Sequence, residues 1–172
     1  TALGDYIKSG HPSDALFNFL CLLGFAIDDK TTVFNRSELL EHFELKKISK
    51  AGAIFDTDKL NWICGEYIRN TSISDLCTAV QPFMIESGYQ LDAELLHKLV
   101  AALQPRANLY SHFAEQSSGL VGEMNYDDKA QKELSKDNVA QYLGLVAEQL
   151  QSCEWPPTDF FSMVKQVASD ND

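Results

Sequence analysis

The residues best suited to chemistry lie between Ile54 and Arg69. Leu60, Ile63, Cys64, Tyr67 and Ile68 recur at helical spacing and make one apolar face. Off that face stand Lys59, Asn61, Trp62 and Arg69, which combine cations, an amide and a large ring. Charge, hydrogen bonding and stacking together hold a polar polymer better than they serve a core. The alternative is that Trp62 and Tyr67 simply pack. Just upstream, Lys46-Lys47-Ile48-Ser49-Lys50 is the densest basic cluster in the chain. It suits contact with a nucleic-acid backbone; otherwise it is a solvated charged turn. Arg106 follows Pro105, which predicts it in the first turn of a helix. The macrodipole disfavours a cation there by ~0.3–1 kcal/mol, so an Arg kept at such a place has a use. The free N–H groups of that helix end suit a phosphate or a base acceptor. The alternative is an Arg paired with a nearby carboxylate.

None of the other reactive side chains forms a catalytic set. His11, His42, His97 and His112 are scattered and make no ligand pair at helical spacing. Asp28-Asp29 and Asp127-Asp128 are adjacent acids that face apart on any regular element, so they read as turn and helix-start residues. No Gly-rich phosphate loop is present. Cys21, Cys64, Cys77 and Cys153 form no C-x-x-C pair, so no zinc site is expected. Three of the cysteines sit beside apolar neighbours in helical patterns and read as buried thiols of a reducing, cytoplasmic compartment.

Nearly every segment that must position these residues reads as helix, so the fold class is all-α. Asp56 predicts an N-cap, and Asp58 suits the first turn after it. Residues 14–23 are apolar almost all round and predict a central buried helix. Asn35-Arg36-Ser37-Glu38 is a capping-box-like start for a short helix to Phe43. Further helices are predicted from Ser72 to Met84, and from Asp92 with Leu95, Leu96, Leu99, Val100 and Leu103 inward. Another follows from Pro105 with Leu109 and Phe113 inward, then helices over 127–134 and 137–150. Residues 116–125, with two Gly and two Ser, predict a loop. Trp155-Pro156-Pro157 predicts a stop, with Thr158 capping a last helix through Val167. The longest apolar stretch, 15–27, is interrupted by Asn18 and Gly24 and falls short of the ~18 residues that span a bilayer.

Charge is uneven. The chain carries −11 overall. Residues 1–69 hold 8 Lys/Arg against 10 Asp/Glu, and residues 70–172 hold 6 against 15. An acidic chain is poorly suited to non-specific nucleic-acid binding, which rests on neutralised phosphates. A nucleic-acid role therefore requires the few cations to cluster on one face. A subdomain boundary is expected near residues 70–72, where the balance changes.

Phe55, Asp56, Lys59, Leu60, Trp62, Gly65, Tyr67, Ile68 and Arg69 resemble, without a gap, the F-D-x-x-K-L-x-W-x-x-G-x-Y-I-R signature of bacterial-type glutamyl-tRNA synthetases. In that family the signature follows the catalytic domain. Leu3-Gly4-Asp5-Tyr6, Ser9-Gly10-His11-Pro12 and the run from Asp14 to Gly24 are similar to its G-Y-L-P-E-A-L-L-N-Y-L-A-L-L-G stretch. Gln104-Pro105-Arg106 is similar to the R-P-R turn of its anticodon-binding region, with Gln104 at the first Arg. The resemblance implies a helical stem-contact domain over residues 1–70 and a helical anticodon-binding domain over 71–172, C-terminally incomplete. It implies tRNA(Glu) as partner, a monomer, and no membrane. It also implies ATP and Mg in a catalytic domain placed before Thr1, so that this chain would be a trimmed piece, itself non-catalytic and without a cofactor. The Lys46–Lys50 cluster looks like the ATP-binding K-M-S-K-S loop, but the resemblance matches it to a second K-x-S-K segment ahead of the signature. The tRNA-contacting residues so implied are Lys46, Lys47, Lys50, Lys59, Trp62, Arg69, Arg106 and Lys165, the last because the family often carries a basic residue near the anticodon. Glutaminyl-tRNA synthetases are disfavoured, because their comparable region is a β-barrel. A different class of function is a helical protein–protein interaction module, supported by an acidic face and apolar residues such as Phe160 and Phe161.

Overall fold

The computed structural model describes residues 2–122, 126–152 and 159–171. Several helices open where a side chain caps them. Asn35 accepts from Ser37 N and Glu38 N, and Glu38 in turn accepts from Asn35 N at 2.7 Å. Asp56 accepts from Asp58 N and Lys59 N, Asp92 from Leu95 N, and Asp127 from Ala130 N. Each such cap is worth ~1 kcal/mol. The helices among the described residues are α1 Leu3–Lys8, α2 Ser13–Leu22, α3 Arg36–His42, α4 Thr57–Asn70, α5 Ile73–Glu86, α6 Ala93–Leu103, α7 Ser111–Val121, α8 Asp128–Leu134, α9 Val139–Ser152 and α10 Phe160–Asn171. A 3-10 turn covers Leu45–Lys47. No strand occurs among the described residues, in keeping with the all-α expectation.

Contacts group the chain into two compact units, Thr1–Glu123 and Met124–Asp172. In the first, α2 packs on α4, while α5, α6 and α7 pack on one another. Ala15, Leu16 and Phe19 of α2 meet Leu60, Ile63 and Cys64 of α4 in one core. Ile68 heads a second core with Leu76, Val80 and Met84 of α5, Leu96, Leu99, Val100 and Leu103 of α6, and Phe113 and Ala114 of α7. The boundary expected near residues 70–72 thus lies between two cores but inside one compact unit. The second unit holds α8, α9 and α10, with Val167 buried. Among the described residues no helix is long and apolar enough to cross a membrane.

A buried polar knot ties the first core together. Asn18 Nδ2 donates to Thr32 O, and Asn18 Oδ1 accepts from Phe34 N, both at 3.0 Å. The Tyr67 hydroxyl donates to Phe34 O at 2.6 Å and lies 3.1 Å from Asn18 Oδ1. Every polar atom there is satisfied, so Asn18 sits fully buried inside an apolar run without penalty.

Four expectations need correction. Pro105 does not open a helix: α6 ends at Leu103, residues 104–106 turn, and α7 starts only at Ser111. The reason is tertiary, since residues 107–110 cross to the α1–α2 junction before the helix can resume. The predicted loop 116–125 is helical through Val121. Phe113, Ala114 and Ser117 are buried there, and the Ser117 hydroxyl donates to Phe113 O within the helix. Leu95 is 40% exposed, because the inward stripe of α6 runs through Leu96, Leu99, Val100 and Leu103. Helix α2 is buried on one side only, with Leu20 45% exposed. Glu123 to Asn125 of the expected loop, Cys153, Trp155-Pro156-Pro157 and the expected cap Thr158 lie outside the described residues.

Candidate nucleic-acid interface

Helix α4 presents its apolar stripe to the core: Leu60, Ile63, Cys64 and Ile68 have no exposure. Its period therefore turns Lys59 and Trp62 outward, and Trp62 is 49% exposed. A half-exposed indole one turn from a lysine offers a stacking platform beside a phosphate-binding cation. The Lys46–Lys50 segment is anchored by Ser49 N donating to Gly24 O at 2.8 Å. Lys46 Nζ and Lys47 Nζ both reach Glu44, at 2.6 and 2.9 Å. Their two ammonium groups hold the Glu44 carboxyl below its usual range, the Lys46 hydrogen bond being the largest single influence. All three side chains are exposed enough for water to screen the pairs, so a phosphate can displace Glu44 at little cost. Lys50 is exposed.

Arg69, at the other end of α4, turns inward. Its Nη2 pairs with Glu66 at 2.7 Å, both side chains being about two-thirds covered. The guanidinium lies beside Gly65 and Asn108; a Cβ on Gly65 would stand 2.9 Å from Arg69 and still closer to Asn108 Oδ1. Arg106 is exposed and pairs with no carboxylate among the described residues. Arg106 N and Ala107 N both donate to Leu103 O, so Arg106 sits just past the C-terminus of α6. A helix C-terminus favours a cation, which reverses the N-terminal dipole argument. Lys165 lies in the second unit, 5.3 Å over the Phe161 ring.

Sequence reasoning passed over the residues that dock the Arg106 turn. Gln104 Nε2 donates to Ile68 O, Arg69 O and Thr71 O at 2.9, 3.3 and 2.8 Å. Tyr110 N donates to Gly10 O at 2.8 Å, and Ser111 Oγ to Ser9 O at 3.1 Å. Gly10 has φ +89, and a Cβ there would lie 2.6 Å from Ser111 N. One signal was available: a glycine inside a strongly periodic helix, Gly65, marks a close approach. His11 sits against this joint, its ring edge-on to Tyr6 and its Nδ1 within 3.1 Å of Tyr6 O. Burial is the main influence on its pKa and lowers it; the Tyr6 carbonyl opposes that, and nearby His112 adds to it.

A family model described as the anticodon binding domain matches residues 75–172, more than half of the chain. The chain belongs to that family. A second model, the catalytic domain of class I tRNA synthetases for E and Q, matches residues 1–62. The catalytic domain expected wholly before Thr1 is thus matched as far as Trp62, although the described part of that stretch holds helices and loops and no strand. Glutamate–tRNA ligase of Dehalococcoides mccartyi strain 195 is 36% identical over 145 residues, covering 80% of this chain and 30% of the relative. The enzyme of Crocosphaera subtropica is 32% identical over 174 residues, covering 97% of the chain and 36% of the relative. That of Thermus thermophilus is 33% identical over 139 residues, covering 79% and 30%. The chain therefore spans roughly a third of these relatives. The crystal structure of a glutamate tRNA ligase from Elizabethkingia meningosepticum, in complex with its amino acid, has the same fold. It superposes with a TM-score of 0.78 at 20% identity, over 96% of this chain and 33% of that one.

Proposed function

We propose that this chain is the tRNA-recognition portion of a cytoplasmic, monomeric glutamate–tRNA ligase. Residues 1–70 contact the tRNA stem and residues 71–172 the anticodon. ATP and Mg would serve the catalytic part of the longer enzyme. The observation that carries this is the anticodon-binding match over residues 75–172, whose turn displays Arg106 exposed and unpaired among the described residues. Lys46, Lys47 and Lys50 take backbone phosphates, and Lys59 with Trp62 holds a nucleotide by charge and stacking. Arg106 reads the third anticodon base: an unpaired C offers O2 and N3 acceptors to the guanidinium fork, whereas G turns N–H donors to the same place. Arg69 and Lys165 have support only from the resemblance, and Arg69 is engaged with Glu66. The relatives named above are all tRNA ligases, which favours this reading over a protein-interaction module.

The test is a fluorescence titration of the chain with tRNA(Glu) across a range of salt. Affinity should fall with salt, the log–log slope growing by about 0.7–0.9 per phosphate contact. Absence of binding at low salt, or affinity indifferent to salt, would count against tRNA recognition.

A further inference from the structure

We infer that Gln104 is a positioning residue that fixes where Arg106 stands, by tying the turn to the carboxyl end of α4. This rests on the proposal that Arg106 reads the anticodon. Helix α4 ends at Asn70 with Thr71 and Ser72 after it, so it lacks the glycine that commonly closes a helix. Its last carbonyls are instead taken by side chains. Asn70 Nδ2 donates to Glu66 O at 2.8 Å, and Thr71 Oγ1 to Tyr67 O at 2.7 Å. From more than thirty residues away, Gln104 Nε2 donates to Ile68 O and Arg69 O at the end of α4 and to Thr71 O just beyond it. Three acceptors around one group require the amide nitrogen, not its oxygen, to face them.

Arg106 is thereby bracketed. Two residues before it, Gln104 is bonded to α4; two residues after it, Asn108 lies against α4 in the space that Gly65 leaves. The Arg106 side chain itself stays exposed. A flexible side chain on a clamped backbone reads a base better than one on a free loop, because less freedom is lost on binding. The anchor is also the helix that carries Lys59 and Trp62, so one rigid element sets the spacing between the two proposed tRNA contacts.

The test compares the 172-residue chain with Arg106→Gln, Gln104→Glu and Gln104→Arg. Each binds tRNA(Glu) and the same tRNA with its third anticodon base changed from C to G. The ratio of the two Kd values cancels any bulk effect of added charge. Glutamate keeps the shape of glutamine but cannot donate, whereas arginine can cap helix carbonyls. Wild type should prefer C by about tenfold or more. Gln104→Glu should lose most of that preference, and Gln104→Arg should keep it. Hydrogen exchange of residues 104–108 without tRNA should rise about tenfold in Gln104→Glu and stay near wild type in Gln104→Arg. If Arg106→Gln loses the preference while Gln104→Glu keeps it, positioning is overturned and base reading stands. If Arg106→Gln keeps it, base reading falls and this role falls with it. Equal exchange in wild type and Gln104→Glu overturns the clamp irrespective of tRNA.

Discussion

Lys46 and Lys47 share a single carboxylate, Glu44, so the basic cluster carries less free charge than its composition suggests. Exposed pairs of this kind are worth ~0–1 kcal/mol, less than the release of counterions from a phosphate can supply. Changing Lys46, Lys47 and Lys50 together to Ala should therefore lower tRNA affinity and flatten its salt slope by about 0.7–0.9 for each lysine that contacts phosphate. Titration at several salt concentrations reads this directly; an unchanged slope would mark the cluster as a solvated turn. Arg69 differs in kind. Its guanidinium is committed to Glu66 and to the joint with Asn108, so its removal would act first on the joint.

At the scale of elements, two glycines permit the joint between α4, the α1–α2 turn and the segment before α7. They differ in what a methyl group would strike. At Gly10 it would meet backbone, Ser111 N at 2.6 Å and Tyr110 N at 3.0 Å, at a φ of +89. At Gly65 it would meet only the ends of the Asn108 and Arg69 side chains, which can swing aside. Alanine also gains ~1 kcal/mol over glycine inside a helix. Gly10→Ala should thus destabilise the first unit by about 1–3 kcal/mol, while Gly65→Ala should be close to neutral. Urea midpoints of the two variants test the contrast; equal losses would contradict it.

The first unit as a whole is held partly by groups that must stay protonated. Burial pushes the Cys64 thiol up to about 12. Tyr67 is likewise raised to about 12, mainly by burial and further by Asp14, Glu38 and Cys21. In each case the folded state keeps its proton after the unfolded chain has lost it. Their contribution is complete below the unfolded values of about 9 and 10 and is lost as pH rises towards 12. Stability should therefore decline from about pH 9 upward. The Tyr67 part is on the order of 1–2 kcal/mol after allowance for partial exposure. Tyr67→Phe should flatten the decline between about pH 10 and 12, as read by urea midpoints taken across that range and at neutral pH. An equally steep decline in that variant would remove Tyr67 as a cause.

Short-range pattern was enough for what short-range physics controls. The period of Leu60, Ile63, Cys64 and Ile68 names the buried face of α4, and Asn35, Asp56, Ser72 and Asp92 name helix starts, because caps and stripes act within a few residues. The same period puts Lys59 and Trp62 on the outer face. What it could not hold is any effect whose partner is distant in sequence. A Gly- and Ser-rich stretch became the end of α7 because Phe113, Ala114 and Ser117 found α5 and α6 to pack on. Arg69 reads locally as an outward cation, yet the approach of Asn108 past Gly65 turns it into part of a joint. Pro105 reads as a helix start, yet Gln104 is drawn back to the open carbonyls of α4 and residues 107–110 are spent reaching Gly10. Only the tertiary structure decided where Arg106 stands, because the groups that hold its turn lie more than thirty residues earlier in the chain.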